Sequence, residues 1–434
     1  MVTGFARCGA MLFALAMQSL LAWMLGPDGR GEYALCLVFS NLSGAILAAG
    51  MDWSCSYYIS SKKIPFNQTI SMVIMNCIFL SIAAGMILPF FKLLPLEFFS
   101  KIGDLSFGFS IVWAISLVVY SYVVLVLTGL KSFALLAILT TLKATLTFLF
   151  TFILFETTPL NVSAPILADI ISCGIVTFYV IIHIIRKYQF RFEMPKSHFI
   201  RQYVSYGLRF FGGSLGMIAN ARIGTILLSF YVIQSDLGLF AQAMAILAQF
   251  ITLSDIACRI LQPRVADSDD GRLDLVVRAA RVVGLVVMLF GCCFLILSPY
   301  VVPLLFSPKF VPMIPVMLIL MPGIWIRTIG KTLFPYFNGT NRPGIVSKAT
   351  FINLLVNIIL LFVLVKPFGL LGAAWATTLA YFSSSMFIFY VIERDTDVCY
   401  VDLFVPRFSD WYELKNHLHV WKKPQTEMQV SINK

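Results

Sequence analysis

The chain has 434 residues, 59% of them hydrophobic and 12% charged, with a mean hydropathy of +0.88. Soluble domains carry about 25% charge, so composition alone excludes a soluble enzyme. It also excludes a nucleic-acid-binding domain in spite of the formal net charge of +11, and leaves a polytopic membrane protein.

About 20 apolar residues cross a hydrocarbon core about 30 Å thick at 1.5 Å per helical residue. In chain order, twelve such segments fall near residues 8–25, 33–51, 70–91, 105–128, 132–154, 162–185, 206–231, 236–257, 282–305, 313–337, 344–365 and 370–392. The first has one basic residue before it, Arg7, and no small-x-small cleavage site before Gly26-Pro27, so it is expected to be a retained span rather than a signal peptide. The nine cysteines show no CxxC spacing and lie in or beside apolar runs, which points to packing rather than metal or disulfide chemistry.

Orientation follows from Lys and Arg in the connections. With a cytoplasmic N-terminus, 22 of the 32 basic residues fall on the inner side. Five fall outside, at Arg30, Lys92, Lys101, Lys309 and Lys366. An even number of spans then puts both termini in the cytoplasm. Internal repetition is legible at modest strength. Gly31-Glu32-Tyr33 between the first two spans is echoed by Gly238-Leu239-Phe240 between the seventh and eighth, and Gly129 after the fourth span by Gly339 after the tenth. The expected architecture is therefore all-α, with about 12 transmembrane helices in two pseudo-symmetric six-helix bundles, residues 1–195 and 196–394, joined by the basic stretch around Pro195. A cytoplasmic tail follows over 395–434, where Trp411, Leu414, Leu418 and Trp421 share one helical face flanked by Lys415, Lys422 and Lys423. That pattern suits a helix on an anionic membrane surface, with a polar tail lacking fixed structure as the alternative.

Five cations remain inside spans: Lys143, Arg209, Arg222, Arg327 and Lys331. A centrally placed Arg costs about 2.5–3.5 kcal/mol on insertion scales, so such residues face a bundle interior or a wet cavity and have a partner. By rise per residue, Lys143 and Arg327 lie near the midplane, Arg222 in the outer half, and Arg209 and Lys331 closer to the cytoplasm, where snorkelling to the interface is the competing explanation. Arg327 and Lys331 are one turn apart, a repulsive spacing unless an anion or water separates them. The carboxylates within reach are Asp169, well inside the bilayer, and Asp52 and Asp255 at the cytoplasmic ends of their spans. Three cannot neutralise five, so an anionic substrate is expected on Arg222, Arg327, Lys331, Lys143 and Arg209. Asp169, Asp255 and Asp52 are the candidates for linkage to a proton or sodium gradient, with a fixed pair with a cation such as Lys143 on the adjacent span as the alternative for Asp169; no other cofactor and no metal is expected. His183, alone among histidines in a span, sits at its cytoplasmic end. The acidic run Asp267, Asp269, Asp270 and Asp274 lacks the glycine and terminal glutamate of a calcium loop, and outer connections are too short to hold a catalytic loop. An enzyme is not expected.

Six stretches, in order, resemble one family. Leu25-Gly-Pro-Asp-Gly-Arg-Gly-Glu-Tyr33 is similar to the first connection of polysaccharide flippases, the O-antigen (Wzx-type) branch of the multidrug/oligosaccharidyl-lipid/polysaccharide exporter superfamily. Gly238-Leu-Phe-Ala-Gln-Ala243, Leu261-Gln-Pro-Arg-Val-Ala266, Met321-Pro-Gly-Ile324, Gly339-Thr-Asn-Arg-Pro343 and Gly369-Leu-Leu-Gly-Ala-Ala374 resemble second-half landmarks of that family. One departure is plain: the Arg-x-Asp pattern of many relatives reads Arg222-Ile-Gly224 here, which frees Arg222 for a ligand and removes a cation-coupling role there. The resemblance implies a flippase in the bacterial cytoplasmic (inner) membrane, acting in O-antigen or capsule assembly. Its cargo would be a polyprenyl-pyrophosphate-linked oligosaccharide moved by alternating access, its partners membrane lipids and other membrane proteins of polysaccharide assembly. The alternatives are an ion-coupled multidrug antiporter of the same superfamily, whose cationic drugs call for an acidic interior, and a membrane glycosyl- or acyltransferase.

Overall fold

The computed structural model describes the backbone of residues 2–266, 273–396 and 398–404, and their side chains apart from 2–12, 213, 214, 217, 219 and 263. Asp267, Asp269 and Asp270 of the acidic run and the whole tryptophan-bearing face of the tail lie outside the described residues.

Thirteen α-helices and three short 3₁₀ turns make up the described chain, with no strand among the described residues. They are α1 (Val2–Ala48), α2 (Met51–Ser61), α3 (Phe66–Ile87), α4 (Glu97–Ser100), α5 (Asp104–Gly129), α6 (Phe133–Thr157), α7 (Ser163–Tyr188), α8 (Ser197–Ser229), α9 (Gln234–Ala266), α10 (Leu273–Phe306), α11 (Ile314–Thr332), α12 (Phe334–Gly339) and α13 (Pro343–Asp395). Nine candidate spans are long and apolar enough to cross a membrane among the described residues. Two of them are double. Gly26 (φ 64°) breaks α1 and Gly369 (φ 53°) breaks α13, each in a conformation that costs a residue with a Cβ dearly. Counting those helices twice and adding α8, whose apolar run carries Arg209 and Arg222, gives the twelve crossings expected.

The helices gather into two compact units. The first comprises Met1–Ala245, Tyr300–Met313 and Phe368–Leu370; the second comprises Ile246–Pro299, Ile314–Pro367 and Leu371–Lys434. In the first, Tyr58, Tyr122, Leu127, Leu139, Val180 and Tyr203 bring α2, α5, α6, α7 and α8 onto one core. In the second, Val276, Ile326, Ile329, Phe337 and Phe389 do the same for α10 to α13. Phe79 on α3 and Phe290 and Ile296 on α10 stay exposed, as lipid-facing side chains must. Without a hydrophobic force between helices in lipid, close packing at small residues and buried hydrogen bonds hold such bundles together.

The echo between Gly31 and Gly238 has a structural counterpart. A methyl group on Gly31 would overlap the Gln234 carbonyl, and one on Gly238 would overlap the Pro27 carbonyl. Pro27 and Gln234 stand at the same offset as the two glycines, so the contact is self-complementary, as an isologous interface is. Gly129 and Gly339 match likewise, the first closing on Ile59 at the end of α2 and the second on Val265 at the end of α9. Because both obstacles at Gly31 and Gly238 are backbone, neither can swing away. Gly238→Ala is expected to destabilise the protein by about 1–3 kcal/mol, read as a lower melting temperature of detergent-purified protein; an unchanged melting temperature would mean that the α9 start can shift.

Candidate functional site

The two breaks set the depth of the charged residues. Since Gly26 is the single non-helical residue between the first two crossings, the chain turns at once and Pro27 opens the next helix, where its missing N–H costs nothing. Arg30 therefore does not lie in an outer loop, as expected, but in the first turn of a packed helix. It is buried, 4% exposed. Its Nε donates to Gln242 Oε1 at 2.7 Å, its Nη2 donates to Gln18 Oε1, and its guanidinium stacks 5.2 Å from the centre of the Tyr33 ring. Every one of these partners is neutral.

Asp169 and Lys143 meet within the first unit. The Lys143 ammonium lies 2.5 Å from Asp169 Oδ1, which also accepts from Thr147 Oγ1 at 3.2 Å. Trp113 Nε1 donates to Asp169 Oδ2 at 2.8 Å, and Lys143 lies 5.1 Å from the Tyr120 ring centre. α5, α6 and α7 thus converge on one carboxylate whose charge is matched by one ammonium and three neutral donors, the third being the Cys173 thiol at 3.8 Å. Asp169 and Lys143 form an ion pair between α6 and α7 inside the first unit, the alternative to a role in ion linkage. Trp113 also stands 5.6 Å from Tyr33, ring centre to ring centre, which joins the bridge to Arg30 through two aromatic side chains.

Arg222 falls beside this chain of contacts. It is half-buried on α8, within electrostatic range of Arg30 and Tyr33. Among the described residues no carboxylate reaches it. Arg209, about one helical turn before the middle of α8, is exposed and lines an open groove with Arg201, Val204, Ser205 and Leu208. Asp52 is the second residue of α2, which starts at Met51 after the left-handed Gly50, and it accepts from the Trp53 N–H at 3.0 Å. Neither residue is brought to the other charges.

In the second unit, Arg327 and Lys331 point into one small cavity of about 10 Å³, room for a single water. Gly330, Thr350, Ser384 and Ser385 complete its polar wall. Arg327 stacks 4.6 Å from the Tyr381 ring centre and meets no carboxylate among the described residues. Lys331 lies 2.6 Å from Asp255 Oδ1 on α9, whose side chain is 45% exposed. Lys331 therefore does not snorkel alone; it bridges two helices through a carboxylate that water reaches. Sequence reading found the Arg327 and Lys331 pair and offered Lys143 as a partner for Asp169, 26 positions away, but not the partnership of Lys331 with Asp255, 76 positions away.

The family model described as "Polysaccharide biosynthesis protein" matches residues 1–254, more than half of the chain. The chain belongs to that family. Two curated proteins are similar over shorter stretches. One, an uncharacterised membrane protein of Methanocaldococcus jannaschii, is 31% identical over 94 residues, 22% of this chain and 18% of its own length. The other, described as a probable low-salt glycan biosynthesis flippase of Haloferax volcanii, is 22% identical over 175 residues, 39% of this chain and 37% of its own. The chain thus spans well under half the length of these relatives. Over the fold the likeness is wider. The lipid II flippase MurJ in an inward closed conformation superposes with a TM-score of 0.72 at 14% identity, over 90% of this chain and 87% of its own. An inward-facing multidrug transporter of the MOP superfamily gives 0.69 at 14% identity, over 89% and 94%. This member of the polysaccharide biosynthesis family accordingly has a fold of two helical bundles like that of those transporters.

Proposed function

We propose that this membrane protein is a flippase for a lipid-linked glycan, carrying a polyprenyl-pyrophosphate-linked oligosaccharide across the cytoplasmic membrane by alternating access between the repeat halves 1–195 and 196–394. The observation that supports this reading best is the distribution of charge. Two of the three candidate carboxylates, Asp169 and Asp255, are paired with lysines, while Arg222 and Arg327 meet no carboxylate among the described residues. A cationic interior of this kind suits phosphate oxygens, which Arg binds through its planar fork and Lys as a point charge. The relative described as a probable glycan biosynthesis flippase supports a glycan cargo.

Arg327 and Lys331 are the proposed anion contacts of the second unit. A water-sized cavity leaves no room for a pyrophosphate, so the anion would take the place of Asp255 on Lys331; a half-exposed pair of this kind is worth about 0–1 kcal/mol and exchanges readily. Arg327→Gln and Lys331→Gln should each weaken binding of a pyrophosphate-bearing lipid and slow its translocation in proteoliposomes. The double variant should lose less than the sum, because both cations serve one ligand. Wild-type translocation in both single variants would remove α11 from the path. The orientation, with both termini cytoplasmic, is checked by reporter fusions: a periplasmic signal from the C-terminal tail would overturn it.

A further inference from the structure

We propose that the basic end of α7 is a binding site for an anionic phospholipid, whose phosphodiester sits among Tyr179, His183, Arg186 and Lys187 while an acyl chain lies along the lipid-facing stripe of the same helix. The first sign is the shape of that face. Tyr179, Ile182, His183, Arg186 and Lys187 line an open groove of about 300 Å³ at the end of this spanning helix. The Tyr179 and His183 rings stack with their centres 6.3 Å apart, one turn before the two cations, which are both exposed. Ile171, Ile175 and Phe178 carry the same face back into the apolar body of α7, and Phe178 is 66% exposed. From Ile175 to Arg186 the face runs about 16 Å, close to one leaflet of a hydrocarbon core about 30 Å thick. That is the reach of one phospholipid with its head at the cations.

The second sign is charge without a counter-charge. Residues 186–201 hold five Lys and Arg and one carboxylate, Glu193. Glu193 Oε1 accepts from Asn67 Nδ2 at 2.9 Å, and none of the five cations has an ion pair among the described residues. The dipole of α7 favours a cation in its last turn, which accounts for Arg186 or Lys187 and not for five. Nor are the charges free to drift apart. Gln189 ends α7 in a left-handed turn (φ 49°), the Tyr188 ring packs 5.3 Å from that of Phe66, and the Glu193 N–H donates to Ser71 Oγ at 3.1 Å. The cations are thereby held on a ledge at the end of the span, where the negative charge at hand is lipid phosphate. Basic clusters directly beside a spanning helix recognise anionic headgroups in this way, and Tyr is favoured at that depth because its ring is apolar and its hydroxyl polar.

The site concerns the lipid around the protein rather than its cargo, so its test needs no transport and stands apart from the flippase reading. The full chain, delipidated in a neutral detergent, is titrated with phosphatidylglycerol and with phosphatidylcholine of the same chain length, and bound lipid is counted by native mass spectrometry. Phosphatidylglycerol should bind at least tenfold more tightly. Arg186→Gln and Lys187→Gln should each weaken it about fivefold, the effect of one surface cation on an anionic headgroup, and the double variant should lose the preference for the anionic lipid. Both side chains are exposed, so the variants should keep the melting temperature of the wild type. Lys309→Gln, which removes an exposed cation from a different connection, should change nothing. No preference in the wild type, a preference that survives the double variant, or one that falls as far in Lys309→Gln overturns the proposal. Glycerol phosphate, a head without chains, should not displace the lipid; displacement by it or by inorganic pyrophosphate at the lipid's own concentration would make the groove a site for free anions and overturn the lipid assignment.

Discussion

Lys143→Met is expected to be the most destabilising single substitution among the intramembrane charges, lowering stability by about 3–5 kcal/mol. It would strand Asp169, 8% exposed, with only the neutral donors Trp113, Thr147 and Cys173 to hold its charge. Asp169→Asn should be milder, because an amide keeps an acceptor for Trp113, but it leaves the ammonium on α6 without a counter-ion. The double variant Lys143→Met with Asp169→Leu should recover most of the loss, since a well-packed apolar pair replaces two buried charges at little net cost. Thermal unfolding of the four purified proteins gives the cycle directly, and additive losses would mean that the two residues do not act as a pair. The same cycle, run on translocation against an imposed proton or sodium gradient, separates a fixed bridge from an ion-coupling one. For a fixed bridge, activity returns with stability in the double variant; for coupling, transport stays uncoupled however well the double variant folds.

Arg222→Ala should abolish delivery of the glycan to the outer surface with little change in the amount of membrane-inserted protein. No ion pair or hydrogen bond in the described structure depends on the Arg222 side chain, so stability should move by less than about 0.5 kcal/mol, the range of substitutions that touch no such feature. Function should not follow stability here. Removing the desolvated cation should make the empty protein no less stable, while a ligand phosphate loses a contact worth a factor of ten or more. Arg222→Lys should retain part of the transport, keeping the point charge and losing the fork. Surface glycan measured alongside quantified membrane protein distinguishes the two effects, and normal surface glycan in Arg222→Ala would take α8 out of the path.

How much of this was legible in the chain differs between fold and site. The twelve crossings could be counted because a helix in lipid must satisfy its backbone within itself and cover its length with apolar side chains, and both demands are written locally. The repeat was legible at Gly31 and Gly238 for a related reason: only glycine admits another backbone that closely. The midplane cations stood out because charge is rare in such runs. What the sequence could not decide was which charge faces which. Asp169 meets Lys143 across a helical hairpin, and Asp255 meets Lys331 from α9 to α11, by packing of helix faces that no local pattern encodes. Arg30 shows the limit most plainly. Three residues past Gly26-Pro27 it has the local marks of a loop residue, and its burial against Gln18 and Gln242 exists only because the chain turns on one left-handed glycine and the start of α9 closes over it. Hydrophobicity along the chain determined the number of spans; the tertiary packing alone decided which cations meet a carboxylate among the described residues and which do not, because ion pairs form over a few ångströms in space whatever the separation in sequence.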